Sequence, residues 1–267
     1  MGEARGRVLI IAGSDSGGGA GVQADLKTVT ALGGYGSTAI TAITVQNSLG
    51  MLAVHALSAN LIEAQARAVL DDIGADAIKT GMLGDIDVIE TVARLLDSAR
   101  GVPVVVDPVI TAKGGARLTP VRAVEGLISL LAPRCALLTP NAPEAEALTG
   151  CTVSTTDDLR RAGEALLELG APAVLMKGGH VGGETVVDLL ITRFGETTFE
   201  GPRIDTRHTH GTGCTLASAC ATGLAQGLAL EAAVARAWGY TAEAILRAPG
   251  FGAGHGPLDH AWPFRKP

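Results

Sequence analysis

The sequence predicts an α/β fold: a mostly parallel sheet with helices over both faces. Three observations carry the prediction. Short apolar runs recur along the chain, segments of helical spacing separate them, and polar or glycine-rich residues stand where the runs end.

Val8 to Ala12 is apolar at every position, as a strand buried on both faces requires. A glycine-rich segment follows, and Ala20 to Leu32 then repeats apolar residues at helical spacing. Thr38 to Val45 is rich in β-branched residues and reads as the second strand. Leu61 to Leu70 reads as helix, and Asp76 to Lys79 as a brief strand closed by Thr80-Gly81. Asp85 to Ala99 is the next helix, and Val102 to Val106 a strand ending at Asp107-Pro108. Pro120 to Leu131 reads as helix with proline in its first turn. Ala136 to Leu138 is a strand ending at Thr139-Pro140-Asn141. Helices over Glu144 to Leu148 and Asp157 to Leu169 precede the strand Ala173 to Met176. Thr185 to Thr192 and Thr197 to Glu200 are expected to pair as a hairpin across Phe194-Gly195-Glu196. Helices Thr212 to Gln226 and Leu230 to Leu246 complete the order. A (β/α)8 barrel fits the late hairpin and the paired terminal helices poorly. In open parallel sheets ligands bind beyond the carboxyl ends of the strands. Asp107, Asn141, Lys177 and the glycine-rich segments all fall there.

At 267 residues the chain is long enough for one large α/β domain. No Pro/Ser-rich linker or shift in composition divides it, so residues 1–267 are read as a single domain. Apolar residues make up 47% and aromatic ones 3%, which leaves the core to Ala, Val, Leu and Ile. Thirty-six glycines point to tight turns or to backbone lying close to a ligand. A net charge of −6, with Lys and Arg scattered, gives no basic face for nucleic acid. The four cysteines have neither CxxC spacing nor the density of a disulfide scaffold. Met1 to Arg7 is polar, and the run after it is too short for a signal peptide or membrane span. A reducing cytoplasm is the expected compartment.

The first glycine-rich segment, Gly13 to Gly21, contains Gly19-x-Gly21-x-x-Ala24. A dinucleotide site would need an acid about 20 residues on, and Thr38 to Val45 has none. The loop is read instead as backbone close to a small substrate, with Asp25 and Gln46 able to hydrogen-bond it; a plain turn is the bland alternative. Gly74 to Thr80 resembles a P-loop but has Ile78 where the second glycine must stand.

His208-Thr209-His210-Gly211-Thr212-Gly213-Cys214-Thr215 precedes an Ala-rich helix. Glycines at a helix entrance let several N–H groups converge on an anion, favoured by the helix dipole. The same field is expected to lower the pKa of Cys214, making it a candidate base beside the anion hole. Cys135, Cys151 and Cys220 are read as buried structural cysteines. Asp107 and Glu144 offer hard oxygens suited to Mg²⁺. Asn141 and Glu144 also fit a helix cap and a favourable charge in the first turn. Lys177-Gly178-Gly179-His180 adds a cation and a tight turn. His55 and His180 are read as structural or solvated.

The ordered series AGSDSGGGAGVQADLKT (12–28), AITVQNSLG (42–50), KTGML (79–83), VVDPV (105–109), TPNAPEAEALTG (139–150), KGGH (177–180) and THGTGCTLASA (209–219) resembles the hydroxymethylpyrimidine and phosphomethylpyrimidine kinases of thiamine biosynthesis, within the ribokinase-like superfamily. The resemblance spans Ile11 to about Leu258. It implies a three-layer αβα fold and ATP-dependent phosphorylation of a hydroxymethyl group, then of the monophosphate. It implies pyrimidine contacts at Gly13, Ala20, Asp25, Gln46, Met82 and Val109. Asp107, Asn141 and Glu144 would organise Mg²⁺ and phosphates, with Asn141, Lys177 and Thr209 near ATP. Gly211, Thr212, Gly213 and Cys214 would form the catalytic anion hole. Sugar kinases of the superfamily have aspartate where Cys214 stands, which argues against a sugar substrate. A homodimer is common among such relatives. Pyridoxal, also a hydroxymethyl heteroaromatic, is the nearest alternative substrate, and a non-catalytic pyrimidine sensor is an alternative of a different class. Thr111 to Ala116 is read as a flap over the phosphates, or else as an ordinary surface loop.

Overall fold

The computed structural model describes residues 6–111 and 119–265. The expected flap falls almost wholly outside the described residues. Nine strands form one sheet in the order β3-β2-β1-β4-β5-β6-β7-β8-β9. β1 (Arg7–Asp15), β2 (Tyr35–Asn47), β4 (Ala77–Thr80), β5 (Val104–Val106), β6 (Leu137–Leu138) and β7 (Ala173–Met176) run parallel. β3 (Gly50–Ala56) at one edge, and β8 (Thr185–Thr192) with β9 (Gly195–Pro202) at the other, pair antiparallel. The sheet is open, so the barrel alternative falls.

Side chains alternate across a strand, so each strand feeds two cores. Leu9, Ile11, Ile78, Val104, Val106, Leu138 and Val174 pack on one face with α2 (Ala59–Leu70), α3 (Ile86–Ser98), α4 (Val121–Gly126), α5 (Ala142–Thr149) and α6 (Thr156–Glu168). Val8, Ile10, Ala12, Val105, Leu137 and Leu175 pack on the other with α1 (Gly21–Ala31), α7 (Thr212–Ala225) and α8 (Leu230–Leu246). These are the three layers the resemblance implies.

Four local expectations are corrected. β1 runs on through the expected glycine loop to Asp15, with a register shift between Ala12 and Ser14 that bends its end. β3 was not read from the sequence: most of its residues are exposed, so it shows no apolar alternation. Pro120 precedes α4 as its cap residue, and the helix passes into a π-helical turn over Leu127–Leu131. Thr192 pairs directly with Gly195, so the late hairpin turns on Arg193-Phe194. The P-loop near miss is resolved as well: Ile78, Lys79 and Thr80 lie inside β4, fully buried.

The C-terminal segment closes behind α7. His260 is buried, its Nε2 lying 2.9 Å from Thr215 Oγ1, while Thr215 Oγ1 donates to Gly211 O at 2.8 Å. The threonine proton is thus committed, and His260 Nε2–H is the donor. Burial, helped by the Lys27 charge and opposed by Asp259, pushes the His260 pKa down to about 4 from 6.5. The unfolded chain binds the proton more readily between those values. The stability from neutral His260 is therefore present above about pH 6.5 and lost as pH falls toward about 4. Thermal melts of wild type and His260→Gln at pH 4.5 and 7 are expected to show the variant losing less stability on acidification; equal losses would remove this role.

Candidate functional site

The suggestive residues lie at or just beyond the carboxyl ends of β1, β2, β4, β5, β6 and β7, and at the N-terminus of α7. Gly211 caps α7 with φ 85°, in the left-handed region that favours glycine. A methyl group there would overlap Gly19 O, so the first glycine loop and the α7 entrance lie backbone against backbone. A methyl at Gly213 would lie 3.1 Å from Lys177 Nζ and 3.8 Å from Asp107 Oδ2. The second loop therefore sits directly over a buried charge cluster. Lys177 Nζ donates to Asp107 Oδ1 at 3.0 Å and lies 3.7 Å from Glu144 Oε2; Thr139 Oγ1 donates to Asp107 Oδ1 at 3.2 Å. Burial works against the lysine charge, but Asp107 and Glu144 outweigh it and raise the Lys177 pKa. The Glu144 pKa is pushed up, first by burial and then by Asp107, with Lys177 pulling the other way.

Asn141 and Glu144 form a reciprocal capping box on α5: Glu144 N–H donates to Asn141 Oδ1 at 2.9 Å, and Asn141 N–H to Glu144 Oε2 at 2.8 Å. The capping reading is correct for both. It also aims the glutamate back toward Lys177, so cap and charge cluster are built by one motif.

On the other side, a methyl at Gly13 would overlap Met82 Cε, so these two expected substrate contacts touch. Ala20 caps α1 and donates its N–H to Asp15 Oδ2 at 2.7 Å. Gln46 is tied to the loop through Ser16, whose Oγ donates to Gln46 O at 2.8 Å and lies 2.9 Å from Gln46 N. Val109 follows β5, half-buried, with its O accepting from Thr119 Oγ1 at 2.8 Å. Thr209 accepts through its O from Thr212 Oγ1 at 2.9 Å, shaping the turn into α7.

Asp25 is not where the sequence reading put it. It is wholly buried, accepts from Lys79 Nζ at 3.0 and 2.9 Å on its two oxygens, and accepts from Ser218 Oγ at 2.6 Å. No face of it is open to a substrate; it holds the floor of the site. Asp25, Cys214 and Asp107 raise the Lys79 pKa against the opposing effect of burial. Asp25→Ala leaves Lys79 charged with no close partner, and an unfolding titration is expected to read a loss of about 3–5 kcal/mol. Wild-type stability would show the pair to be dispensable.

The Cys214 thiol also departs from expectation. Burial pushes its pKa up to about 12, Asp25 and Asp107 add to the rise, and the nearby Lys79 opposes it. The helix terminus does not win: the pKa of this thiol is raised, not lowered. Cys135 and Cys220 are buried as read, but Cys151 is exposed.

Two functional residues escaped the sequence reading. Asp15 accepts from Gly17 N at 2.7 Å, Gly19 N at 3.0 Å and Ala20 N at 2.7 Å, and so shapes the glycine loop. His210 Nε2 lies 2.9 Å from Asp15 Oδ2 and ties that loop to the entrance of α7. Burial works to raise the Asp15 pKa, but the bonds from His210, Ala20 and Gly17 outweigh it and hold it below its ordinary value. The signal available was an acid heading a glycine run, a pattern that favours side-chain-to-backbone bonds.

Comparison with known proteins agrees with this geometry. The family profile described as phosphomethylpyrimidine kinase matches residues 15–259. The chain is 49% identical to the hydroxymethylpyrimidine/phosphomethylpyrimidine kinase of Streptomyces coelicolor over 255 residues, covering 96% of this chain and 94% of that one. It is 50% identical over 256 residues, 96% of this chain, to a thiamine biosynthesis bifunctional protein of Geobacter sulfurreducens, of which it spans only 52%. The ADP complex of Bacillus subtilis pyridoxal kinase superimposes with a TM-score of 0.90 at 37% identity, covering 96% of this chain and 98% of that one. Fold, ordered motifs and relatives together place the chain in the phosphomethylpyrimidine kinase family.

Proposed function

We propose that this protein uses ATP to phosphorylate 4-amino-5-hydroxymethyl-2-methylpyrimidine to its monophosphate and then to the pyrophosphate, in thiamine biosynthesis. The observation that carries this reading is the convergence of Asp107, Lys177 and Gly213 under the entrance to α7. Phosphoryl transfer depends mainly on positioning and charge neutralisation, and this cluster offers both.

Lys177 neutralises the transferring phosphate, the N–H groups of Gly211 to Cys214 cradle it, and Thr209 and Asn141 border the nucleotide. Gly13, Ala20, Gln46, Met82 and Val109 surround the pyrimidine. Asp107 and Glu144 are the residues to hold Mg²⁺. Among the described residues no three His, Cys, Asp or Glu side chains cluster to hold a metal. Two carboxylates suit an ion that keeps water and takes its remaining oxygens from phosphate. When bound, Mg²⁺ supplies positive charge to the phosphate oxygens.

A thiol with a pKa of about 12 is a poor store of thiolate. Cys214 therefore serves chiefly through its main-chain N–H and its position beside the hydroxyl. Loose phosphoryl transfer asks little of a base. Cys214→Ala is expected to lower kcat by only about tenfold; a loss of about 10²–10⁴-fold would mark it as a general base.

The enzyme is assigned to the cytoplasm, in keeping with its four free cysteines. Residues 1–267 act as one kinase domain. It pairs as a homodimer, for which the edge hairpin offers exposed Ile43, Val45, Leu52 and Val54; a monomer in sedimentation would refute the pairing. No helix among the described residues is long and apolar enough to cross a membrane. Pyridoxal kinase is the second reading, favoured by the fold likeness to the Bacillus subtilis enzyme. Initial rates of ADP release with each substrate decide between them: the aminopyrimidine is expected to have the higher kcat/KM. A higher value for pyridoxal would reassign the substrate, and binding without ADP release would mark a sensor.

A further inference from the structure

The end of β2 holds a short relay that no catalytic step uses. Thr44 is buried, and its Oγ1 lies 2.7 Å from Ser14 O. A backbone carbonyl only accepts, so the threonine proton is spent on Ser14. Thr44 Oγ1 can then only accept from the Gln46 amide atom 2.9 Å away, which must be nitrogen. The flip of the Gln46 side chain is thus fixed by a main-chain carbonyl of β1. Among the described residues Gln46 Oε1 accepts no hydrogen bond. The half-buried amide therefore keeps one unsatisfied acceptor and one spare N–H on the strand end that borders the glycine loop.

We propose that Thr44 is a specificity-determining positioning residue: it locks Gln46 so that the site reads a hydrogen-bond donor beside the substrate's hydroxymethyl group. The proposal rests on the pyrimidine-kinase reading above and deepens it. The aminopyrimidine and pyridoxal present their hydroxymethyl groups alike but differ at the neighbouring ring position. The first carries an amino group there, a donor; the second carries an aldehyde, which only accepts. A locked Oε1 pairs with the amino group and meets the aldehyde as acceptor against acceptor. The spare N–H suits the ring nitrogen that flanks the amino group and that pyridoxal lacks. A buried polar group left unpaired in this way costs more than a shape mismatch, which is how such a site rejects an analogue.

Thr44→Val keeps the shape, removes the hydroxyl and frees the amide to flip. The measurement is kcat/KM for the aminopyrimidine and for pyridoxal, with calorimetric binding of each in the absence of ATP and a thermal melt of each variant. The ratio favouring the aminopyrimidine is expected to fall about tenfold in Thr44→Val, in rates and in binding alike, with KM for ATP unchanged. Thr44→Ser, which restores the hydroxyl, is expected to return the wild-type ratio. Should the valine variant fail to fold, Thr44→Ala gives the same comparison. A wild-type ratio in the folded variant lacking the hydroxyl overturns the proposal while leaving the kinase reading intact. Wild-type enzyme that accepts pyridoxal and refuses the aminopyrimidine overturns that reading, and the proposal with it.

Discussion

Lys177→Met is expected to lower kcat about 10³-fold while the protein stays folded. Methionine retains the aliphatic stem that fills the end of β7, so the substitution removes charge more than volume. The lysine Nζ holds Asp107 at 3.0 Å, stands 3.7 Å from Glu144, and lies directly beneath Gly213. Without it two buried carboxylates face the incoming phosphates with no protein cation between them. Charge developing in transfer is then opposed where it had been stabilised. Steady-state kinetics with a thermal melt separate this from misfolding: kcat falls steeply while the melt keeps one cooperative transition above the assay temperature. Wild-type kcat in Lys177→Met would take Lys177 out of the phosphate machinery.

Gly211→Ala is the second large effect, expected to cost about 10²-fold in kcat/KM. The left-handed φ of 85° alone disfavours alanine by roughly 1–2 kcal/mol. The new methyl also overlaps Gly19 O, a main-chain atom that cannot rotate away. Either the glycine loop recedes from the substrate or the first turn of α7 swings off the phosphates. Gly213→Ala is the milder control, since its methyl would meet the end of the Lys177 side chain at 3.1 Å. An alanine at 211 with wild-type kinetics would mean that the two loops need not touch for catalysis.

The sequence reading succeeded where the structure depends on local pattern. The unbroken apolar run Val8 to Ala12 feeds both cores as a strand buried on two faces must, and Asp107, Asn141 and Lys177 do follow β5, β6 and β7. It failed where a partner lies far along the chain. Asp25 looked available because Lys79 and Ser218, which occupy it, stand 54 and 193 residues away. Asp15 and His210 are 195 residues apart, and neither residue advertises the other. Cys214 misled for the same reason. A helix terminus is visible in sequence and lowers a thiol pKa, whereas burial and the facing Asp25 and Asp107 are visible only in the fold. β3 was missed because an exposed edge strand carries no burial pattern to read.

One site, built on Asp107, Lys177 and the entrance to α7, is expected to carry the ATP phosphate to the pyrimidine hydroxymethyl group and then to the monophosphate. A mass-resolved time course with excess MgATP and the aminopyrimidine tests it most directly. The monophosphate is expected to rise first and the pyrophosphate to follow, with both phases slowed by the same factor in Lys177→Met. Absence of any phosphorylated pyrimidine, or a second phase untouched by the Lys177 substitution, would contradict it.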